Sequence, residues 1–176
     1  GLFLWNGCDA AIDLNLRIFC YTGKDHIITL PPTYGMYKVC ADISNVGIVS
    51  VPLNAGFQPQ VERIMALANP QSKLLFICSP NNPSGNNISL DNIKKILTHF
   101  PGIVVVDEAY IDFSEQPSCI NLLEDYKNLV VLQTLSKAWG LAGIRLGMAF
   151  AGEEIINLFN KVKPPYNINL LTQDTV

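Results

Sequence analysis

Residues 73–107 read KLLFICSPNNPSGNNISLDNIKKILTHFPGIVVVD, and this stretch decides the fold. Its two apolar runs, Lys73–Cys78 and Ile103–Asp107, have the length of buried strands, and Ser89–Phe100 between them has the apolar spacing of a helix. A turn rich in Pro and Gly follows the first run, and Ser89 precedes the helix as an N-cap. Two strands joined by a helix need a crossover connection, which predicts that they are parallel.

The same alternation of strands and helices extends along the whole chain. The other apolar runs predict strands at Leu2–Trp5, His26–Leu30, Gly47–Val51, Leu129–Gln133 and Leu146–Ala151. The other amphipathic segments predict helices at Asp9–Cys20, Tyr34–Ile43, Pro59–Ala68 and Glu153–Lys161. The pattern therefore indicates an α/β domain with a mostly parallel seven-stranded sheet and helices on both faces.

Composition and charge exclude several classes of protein. The 176 residues are 49% hydrophobic and 15% charged, and the formal net charge is −3. Without a basic block, nucleic-acid binding is not expected, and apolar runs far shorter than roughly 20 residues predict no membrane span. Five scattered cysteines without a CxxC pair are typical of reduced thiols in a cytoplasmic protein. Two isolated histidines, His26 and His99, predict no metal site.

Polar residues follow the predicted strands, where ligands bind in open parallel sheets. After the first strand, Gly7, Cys8 and Asp9 turn into a helix, whose free N–H groups and positive dipole end suit a phosphate. The commoner use of an acid at Asp9 is as a plain N-cap. After Lys73–Cys78, a rigid turn holds Asn82, whose amide either donates to a ligand oxygen or bonds its own backbone.

The ends of two further strands carry the strongest signals. Asp107 follows four apolar residues, so it should be buried and need a partner: a protonated ring nitrogen, an arginine or a helix end that it caps. Tyr110 lies close enough in sequence to meet a ligand hydroxyl. Lys137 lies among small and apolar residues, and loss of water there would favour the neutral, nucleophilic amine. The alternative for Lys137 is a structural ion pair.

These groups together fit one ligand, pyridoxal phosphate. The hydroxyls of Thr134 and Ser136 suit a phosphate, and Arg145 can donate to it through two N–H groups at once. The turn at Gly7, Cys8 and Asp9 suits the same phosphate, and Asp107 suits a ring nitrogen. Asn82 and Tyr110 suit a ring oxygen, and Lys137 suits an aldehyde. The residues therefore predict a cofactor site at the carboxyl ends of the strands.

Three segments resemble the signature segments of the fold-type-I aminotransferases, which use pyridoxal phosphate. They are PNNPSG (80–85), VVVDEAYIDF (104–113) and LSKAWGLAGIRLG (135–147). Part of the second segment, DEAYIDF (107–113), and two further segments, PPTYGMY (31–37) and PPYNIN (164–169), are more similar to the histidinol-phosphate branch than to others. The resemblance runs from end to end. Three residues depart from the usual pattern: Ser84 stands where Thr is more usual, Trp139 where Phe is, and Cys8 where Ala or Ser is.

The resemblance implies a role for each residue of the site. It implies a cofactor-binding large domain over residues 1–163, with 164–176 as the start of the connection to a C-terminal small domain. Lys137 would bind the cofactor covalently and move the reacting proton, and Asp107 would bind the pyridine nitrogen. Asn82 and Tyr110 would bind the phenolic oxygen, and Tyr34 would stack on the ring. The phosphate would be bound by Ser136, Arg145 and the Cys8–Asp9 backbone, with Thr134 nearby. Asn167 would contact the substrate.

The implied reaction is amino transfer between histidinol phosphate and 2-oxoglutarate in histidine biosynthesis, by a cytoplasmic homodimer acting on small amino and keto acids. A threonine-phosphate decarboxylase or an aromatic aminotransferase on the same scaffold is an alternative. So is an isolated cofactor-binding module without turnover. A dinucleotide-binding domain is disfavoured because no GxGxxG follows a strand. The chain begins without Met and ends in mid-pattern, so we expect a piece of a longer protein that is inactive without the small domain's carboxylate-binding arginine.

Overall fold

The computed structural model describes residues 1–176 and has one seven-stranded sheet at its centre. The strands are β1 (Leu2–Trp5), β2 (His26–Thr29), β3 (Gly47–Ser50), β4 (Ser72–Cys78), β5 (Ile103–Asp107), β6 (Leu129–Thr134) and β7 (Gly147–Ala151). Their order in the sheet is β1-β7-β6-β5-β4-β2-β3. β7 alone runs in the direction opposite to the other six strands, so the prediction of a mostly parallel sheet is confirmed.

Six helices connect or follow the strands: α1 (Cys8–Phe19), α2 (Met36–Ile43), α3 (Val61–Leu67), α4 (Leu90–His99), α5 (Glu153–Val162) and α6 (Leu170–Thr175). Single-turn 3-10 helices lie at Ile111–Phe113, Cys119–Leu122 and Ala142–Ile144. The N-cap predicted at Ser89 is confirmed, because its hydroxyl accepts from the Asn92 N–H at 3.2 Å. No helix has the length and apolar character that crossing a membrane requires.

The sheet is buried on both faces, as expected for parallel strands between helices. Successive residues of β4 alternate between two hydrophobic clusters: Leu74, Phe76 and Cys78 face α1, α2 and α5, whereas Leu75 and Ile77 face α3 and α4. The first cluster has 22 buried residues and the second has 19. Helices therefore cover both faces and leave the strand ends as the accessible edges of the sheet.

The C-terminal segment packs against the domain more than the sequence indicated. The side chain of Asn169 caps the unpredicted helix α6, accepting from the Thr172 N–H at 2.9 Å. The hydroxyl of Thr172 donates to the Ile144 carbonyl at 2.6 Å, which fixes α6 beside the turn before β7. A helix of six residues is too short to show periodicity, so α6 could not be predicted from an apolar pattern. The domain boundary after residue 163 stays a prediction.

Candidate active site

The carboxyl ends of β1, β4, β5 and β6 meet the start of antiparallel β7 at one edge of the sheet, and a cleft opens there. Its lining residues are Cys8, Asp9, Tyr34, Cys78, Asn82, Asp107, Ala109, Tyr110, Thr134, Ser136, Lys137 and Arg145. The structure thus brings ten of the eleven predicted cofactor-binding residues into one cleft, and the eleventh, Gly7, adjoins it.

The turn between β1 and α1 packs tightly beneath Arg145. Gly7 has φ 86°, and a Cβ there would collide with the Arg145 guanidinium. A Cβ on Gly147 would collide with the backbone of Gly7 and Cys8 from the other side. Helix α1 begins at Cys8 with no side chain capping its first N–H groups. Free N–H groups and a guanidinium therefore face the same small volume, an arrangement suited to an anion.

Asp9 lies in the first turn of α1, so the N-cap alternative is wrong, because the cap position is Gly7. Its Oδ1 accepts a hydrogen bond of 2.9 Å from the Tyr34 hydroxyl. Burial, and then this hydrogen bond, raises the pKa of Tyr34, which keeps the phenol protonated and donating. Asp9 thereby fixes the position of the Tyr34 ring at the wall of the cleft.

Asp107 is the buried acid at the floor of the cleft, with 2% of its surface exposed. Its Oδ2 accepts from the Tyr37 hydroxyl at 2.8 Å and its Oδ1 from the Ala109 N–H at 3.1 Å. Burial raises the pKa of Asp107, while these two hydrogen bonds oppose the rise. Neither ion pair of the chain involves Asp107, so the arginine alternative is wrong. The cleft therefore holds a buried carboxylate without a cation.

Lys137 lies on the turn after β6, with its Nζ 5.4 Å from the centroid of the Tyr110 ring. The hydroxyl of Thr134 holds this turn, since it accepts from the Ser136 N–H at 3.1 Å and lies 3.1 Å from the Leu146 carbonyl, to which it donates. No carboxylate pairs with Lys137, so the structural ion pair is not formed. The expectation that neighbours bury Lys137 is wrong: the turn leaves the sheet, and Trp139 is exposed as well.

Asn82 projects a free amide into the cleft. The turn after β4 is held instead by Asn81, whose Nδ2 donates to the Pro32 carbonyl at 3.0 Å and to the Ser84 hydroxyl at 2.6 Å. The side chain of Asn82 makes no hydrogen bond within the chain, so the alternative that it bonds its own backbone is not observed. Its amide is available to a ligand.

Asn167 lies away from these residues. Its Nδ2 donates to the Leu4 carbonyl at 2.6 Å, and it lines a different depression, beside β1. The contact with substrate that the sequence suggested for Asn167 stays a prediction.

Sequence reasoning missed Tyr37 and Glu108, which support the site from behind. Glu108 has 2% of its surface exposed and accepts from the Ser118 hydroxyl (2.6 Å), the Cys119 N–H (2.6 Å) and the Gln133 amide (2.9 Å). These bonds tie the loop after β5 to β6. Glu108 directly follows Asp107, the last residue of β5, and neighbouring side chains of extended backbone point to opposite faces of the sheet. The sequence feature that could have indicated the role of Glu108 is a second acidic residue directly after Asp107.

We expect Glu108→Ala to lower the free energy of unfolding by about 2–4 kcal/mol, because the buried Cys119 N–H and the partly buried Ser118 hydroxyl and Gln133 amide lose their acceptor. Thermal unfolding measures this, and Glu124→Ala, which removes an exposed glutamate, is the matched control. If the two variants melt within a degree of each other, the role assigned to the Glu108 hydrogen bonds is wrong.

The chemistry of these side chains fits pyridoxal phosphate. The cleft offers an arginine and free backbone N–H groups for a phosphate, and a buried carboxylate without a cation for a protonated ring nitrogen. It also offers a free amide and a phenol for a ring oxygen, and an unpaired lysine for an aldehyde. Each group that lacks a partner within the chain corresponds to a different part of one ligand.

Comparison with known proteins shows the family and the fold of this chain. Residues 1–176 match the family described as aminotransferase class I and II, so the chain belongs to the class I and II aminotransferases. Histidinol-phosphate aminotransferase of Cytophaga hutchinsonii is 57% identical over 98% of this chain and 50% of its own length. The chain thus spans about half the length of the curated relatives it matches.

Solved structures share the same fold. Histidinol-phosphate aminotransferase from Clostridium acetobutylicum aligns with a TM-score of 0.88 and 25% identity, over 98% of this chain and 52% of that one. The enzyme of the same name from Sinorhizobium meliloti, in complex with pyridoxal-5'-phosphate, aligns with a TM-score of 0.88 over 97% of this chain and 47% of that one. At 22% identity, this alignment supports a shared fold and nothing more.

Proposed function

We propose that these residues form the cofactor-binding half of an aminotransferase that uses pyridoxal phosphate to interconvert histidinol phosphate and 2-oxoglutarate with imidazole-acetol phosphate and glutamate. One observation carries the proposal: Asp107, Lys137 and Arg145 line one cleft, and none has a partner of opposite charge within the chain. Identity of 57% to a histidinol-phosphate aminotransferase supports this substrate over the decarboxylase and aromatic alternatives.

The residues divide the chemistry among them. When bound, pyridoxal phosphate supplies an aldehyde that combines with amines and a ring that delocalises negative charge from a substrate's α-carbon. Lys137 would hold the cofactor through its aldehyde, and its Nζ would take and return the proton of the substrate's α-carbon. The Asp107 carboxylate would keep a proton at the ring nitrogen. Asn82 and Tyr110 would orient the ring oxygen, and Tyr34 would pack on the ring.

Arg145, Ser136 and the N-terminus of α1 bind the phosphate. We expect Arg145→Ala to weaken the affinity for pyridoxal phosphate about 10- to 150-fold, since a hydrogen-bonded charged contact contributes about 1.5–3 kcal/mol. The affinity for pyridoxal, which lacks the phosphate, should change little. Absorbance titration with both ligands measures the two constants. Arg63→Ala, at an exposed arginine of α3, is the control, and an equal loss for both ligands would contradict the assignment.

The substrate's carboxylate needs a cation that these residues do not supply. Arg17 pairs with Asp13 at 2.8 Å on α1, Arg63 lies on α3, and Arg145 is placed for the phosphate. We propose that the cation comes from the half of the enzyme present in the longer relatives. Residues 1–176 alone should therefore bind the cofactor and show negligible turnover with glutamate.

We further propose that the complete enzyme is a cytoplasmic homodimer, with residues 1–163 as its large domain and 164–176 leading to a small domain. Exposed apolar side chains near the C-terminus support a covering partner or domain, since Tyr166, Leu170 and Leu171 are 99%, 70% and 79% exposed.

The test is amino transfer by the complete enzyme that contains these residues. With 2-oxoglutarate as acceptor, histidinol phosphate should be a far better amino donor than phenylalanine, and threonine phosphate should release no carbon dioxide. Preference for phenylalanine, or decarboxylation of threonine phosphate, would replace the proposed substrate with one of those alternatives. Failure of every donor would contradict the proposed activity itself.

A further inference from the structure

Tyr37 is the fully buried residue that connects α2 to the acid of the cleft. Its relative exposure is 0%, and its hydroxyl donates to Asp107 Oδ2 at 2.8 Å. The two residues lie 70 positions apart in sequence, so the bond joins α2 to the end of β5.

Packing leaves the Tyr37 ring a single orientation. It stacks on Phe76 of β4 with centroids 4.7 Å apart and an interplanar angle of 13°. The ring of Tyr34 meets it edge-on, at 5.7 Å and 83°. Since Tyr34 is itself held by Asp9, both aromatic side chains of this segment are fixed at their ring and at their hydroxyl. The Tyr37 hydroxyl is thus aimed at Asp107.

The electrostatic surroundings of Asp107 show what this bond opposes. The groups that face Asp107 are Cys8 and Asp9 from α1, Tyr34 and Tyr37 from the segment leading into α2, Cys78 from β4, and Lys137 from the turn after β6. Burial raises the pKa of Asp107, and the charge of Asp9 adds to the rise. The Tyr37 hydrogen bond is the largest influence in the opposite direction, ahead of the Ala109 N–H and Lys137.

Ionisation of the neighbouring phenol and thiol does not disturb this bond. Burial raises the pKa of the Tyr37 hydroxyl well above its usual value, and burial raises that of the Cys78 thiol to about 12. Both groups therefore stay neutral at the pH where an enzyme works, and Tyr37 remains a donor. A neutral donor beside a buried carboxylate stabilises the charged form without neutralising it.

We propose that Tyr37 is a positioning residue, whose hydroxyl aims the Asp107 carboxylate at the cofactor ring and supports its negative charge. The inference rests on the proposed function, because it assigns Asp107 to the ring nitrogen. It adds a residue that acts through Asp107 and does not contact the cofactor, since Tyr37 lies outside the lining of the cleft. A carboxylate kept charged and oriented in advance binds a protonated nitrogen without reorganising during the reaction.

The test is the titration of Asp107 in the cofactor-free chain, followed by carbon NMR of aspartate labelled at the carboxyl carbon. Asp107→Asn assigns the signal. In Tyr37→Phe the midpoint should move to higher pH, because the main influence that lowers the pKa is gone. Tyr126→Phe, a partly buried tyrosine whose hydroxyl makes no hydrogen bond, should leave the midpoint unchanged. An unchanged or lowered midpoint in Tyr37→Phe would overturn the proposal.

A second substitution tests the same bond without removing the hydroxyl or leaving a cavity. Fluorotyrosine incorporated at position 37 keeps the hydroxyl and makes it a stronger donor, so the Asp107 midpoint should move to lower pH. Opposite shifts in the two variants separate hydrogen bonding from a change in packing, and shifts of the same sign would contradict the proposal. This titration needs neither cofactor nor substrate. Its result can therefore contradict the role of Tyr37 while amino transfer is observed, or support that role while amino transfer is not observed.

In the complete enzyme, Tyr37→Phe should change kcat and KM to different extents. Tyr37→Phe should lower kcat about 10-fold or more and leave the KM for the amino donor nearly unchanged, because Tyr37 acts on the ring side of the cleft. A rise in KM at constant kcat would show that Tyr37 serves substrate binding and would overturn the assignment.

Discussion

Replacement of Lys137 by alanine should abolish covalent binding of pyridoxal phosphate and lower kcat of the complete enzyme by about 10³-fold or more. The amine has two tasks in the proposed mechanism, binding the aldehyde and moving the proton of the α-carbon. Positioned proton transfer alone contributes about 10²- to 10⁴-fold. No other lysine lines the cleft, so no side chain of this chain can replace it there.

Reduction with borohydride after addition of the cofactor measures the covalent binding, and a steady-state assay measures kcat. Lys94→Ala is the control, because Lys94 is exposed on α4 and lies outside the cleft. The Lys137→Ala protein should still bind the cofactor reversibly through Arg145. Turnover within 10-fold of the unsubstituted enzyme would remove Lys137 from the catalytic role.

Replacement of Asp107 by asparagine should have the second largest effect, a fall in kcat of about 10²- to 10³-fold. Asparagine keeps the shape of the side chain and removes its charge, so a protonated ring nitrogen in the buried site loses its counter-ion. Removing one partner of a buried charge pair costs about 3–5 kcal/mol. The affinity for the cofactor should fall less than in Arg145→Ala, because the phosphate contacts remain.

Asp112→Asn, at an exposed aspartate five positions further along, is the matched control for the loss of charge. Stopped-flow absorbance resolves the chemical step from cofactor binding. If Asp107→Asn keeps near-normal kcat, the acid has only a structural role and the ring nitrogen is bound by something else.

Much of the site followed from the sequence because strand ends are easy to locate. An apolar run such as Ile103–Asp107 marks a buried strand, and the polar residue that ends it must lie at the edge of the sheet. Since parallel strands share that edge, Asn82, Asp107 and Lys137 could be placed together without knowledge of any contact. The order of the strands was not needed for this step.

The partners of these residues could not be read in the same way. Tyr37 and Asp107 are 70 residues apart, and no spacing pattern reports a hydrogen bond between α2 and the end of β5. The exposure of Lys137 was also missed, because small apolar neighbours indicate burial only when the chain turns back into the core. Helix α6 has too few residues to produce a periodic pattern.

The central claim is that this cleft binds pyridoxal phosphate through Lys137. The most direct measurement adds the cofactor to the 176-residue chain, reduces the mixture with borohydride and locates the modified lysine by peptide mass spectrometry. We expect a visible absorbance band before reduction and one modified lysine per chain, in the peptide that contains Lys137. Modification spread over exposed lysines such as Lys94 and Lys95, with Lys137 unmodified, would contradict the assignment of Lys137.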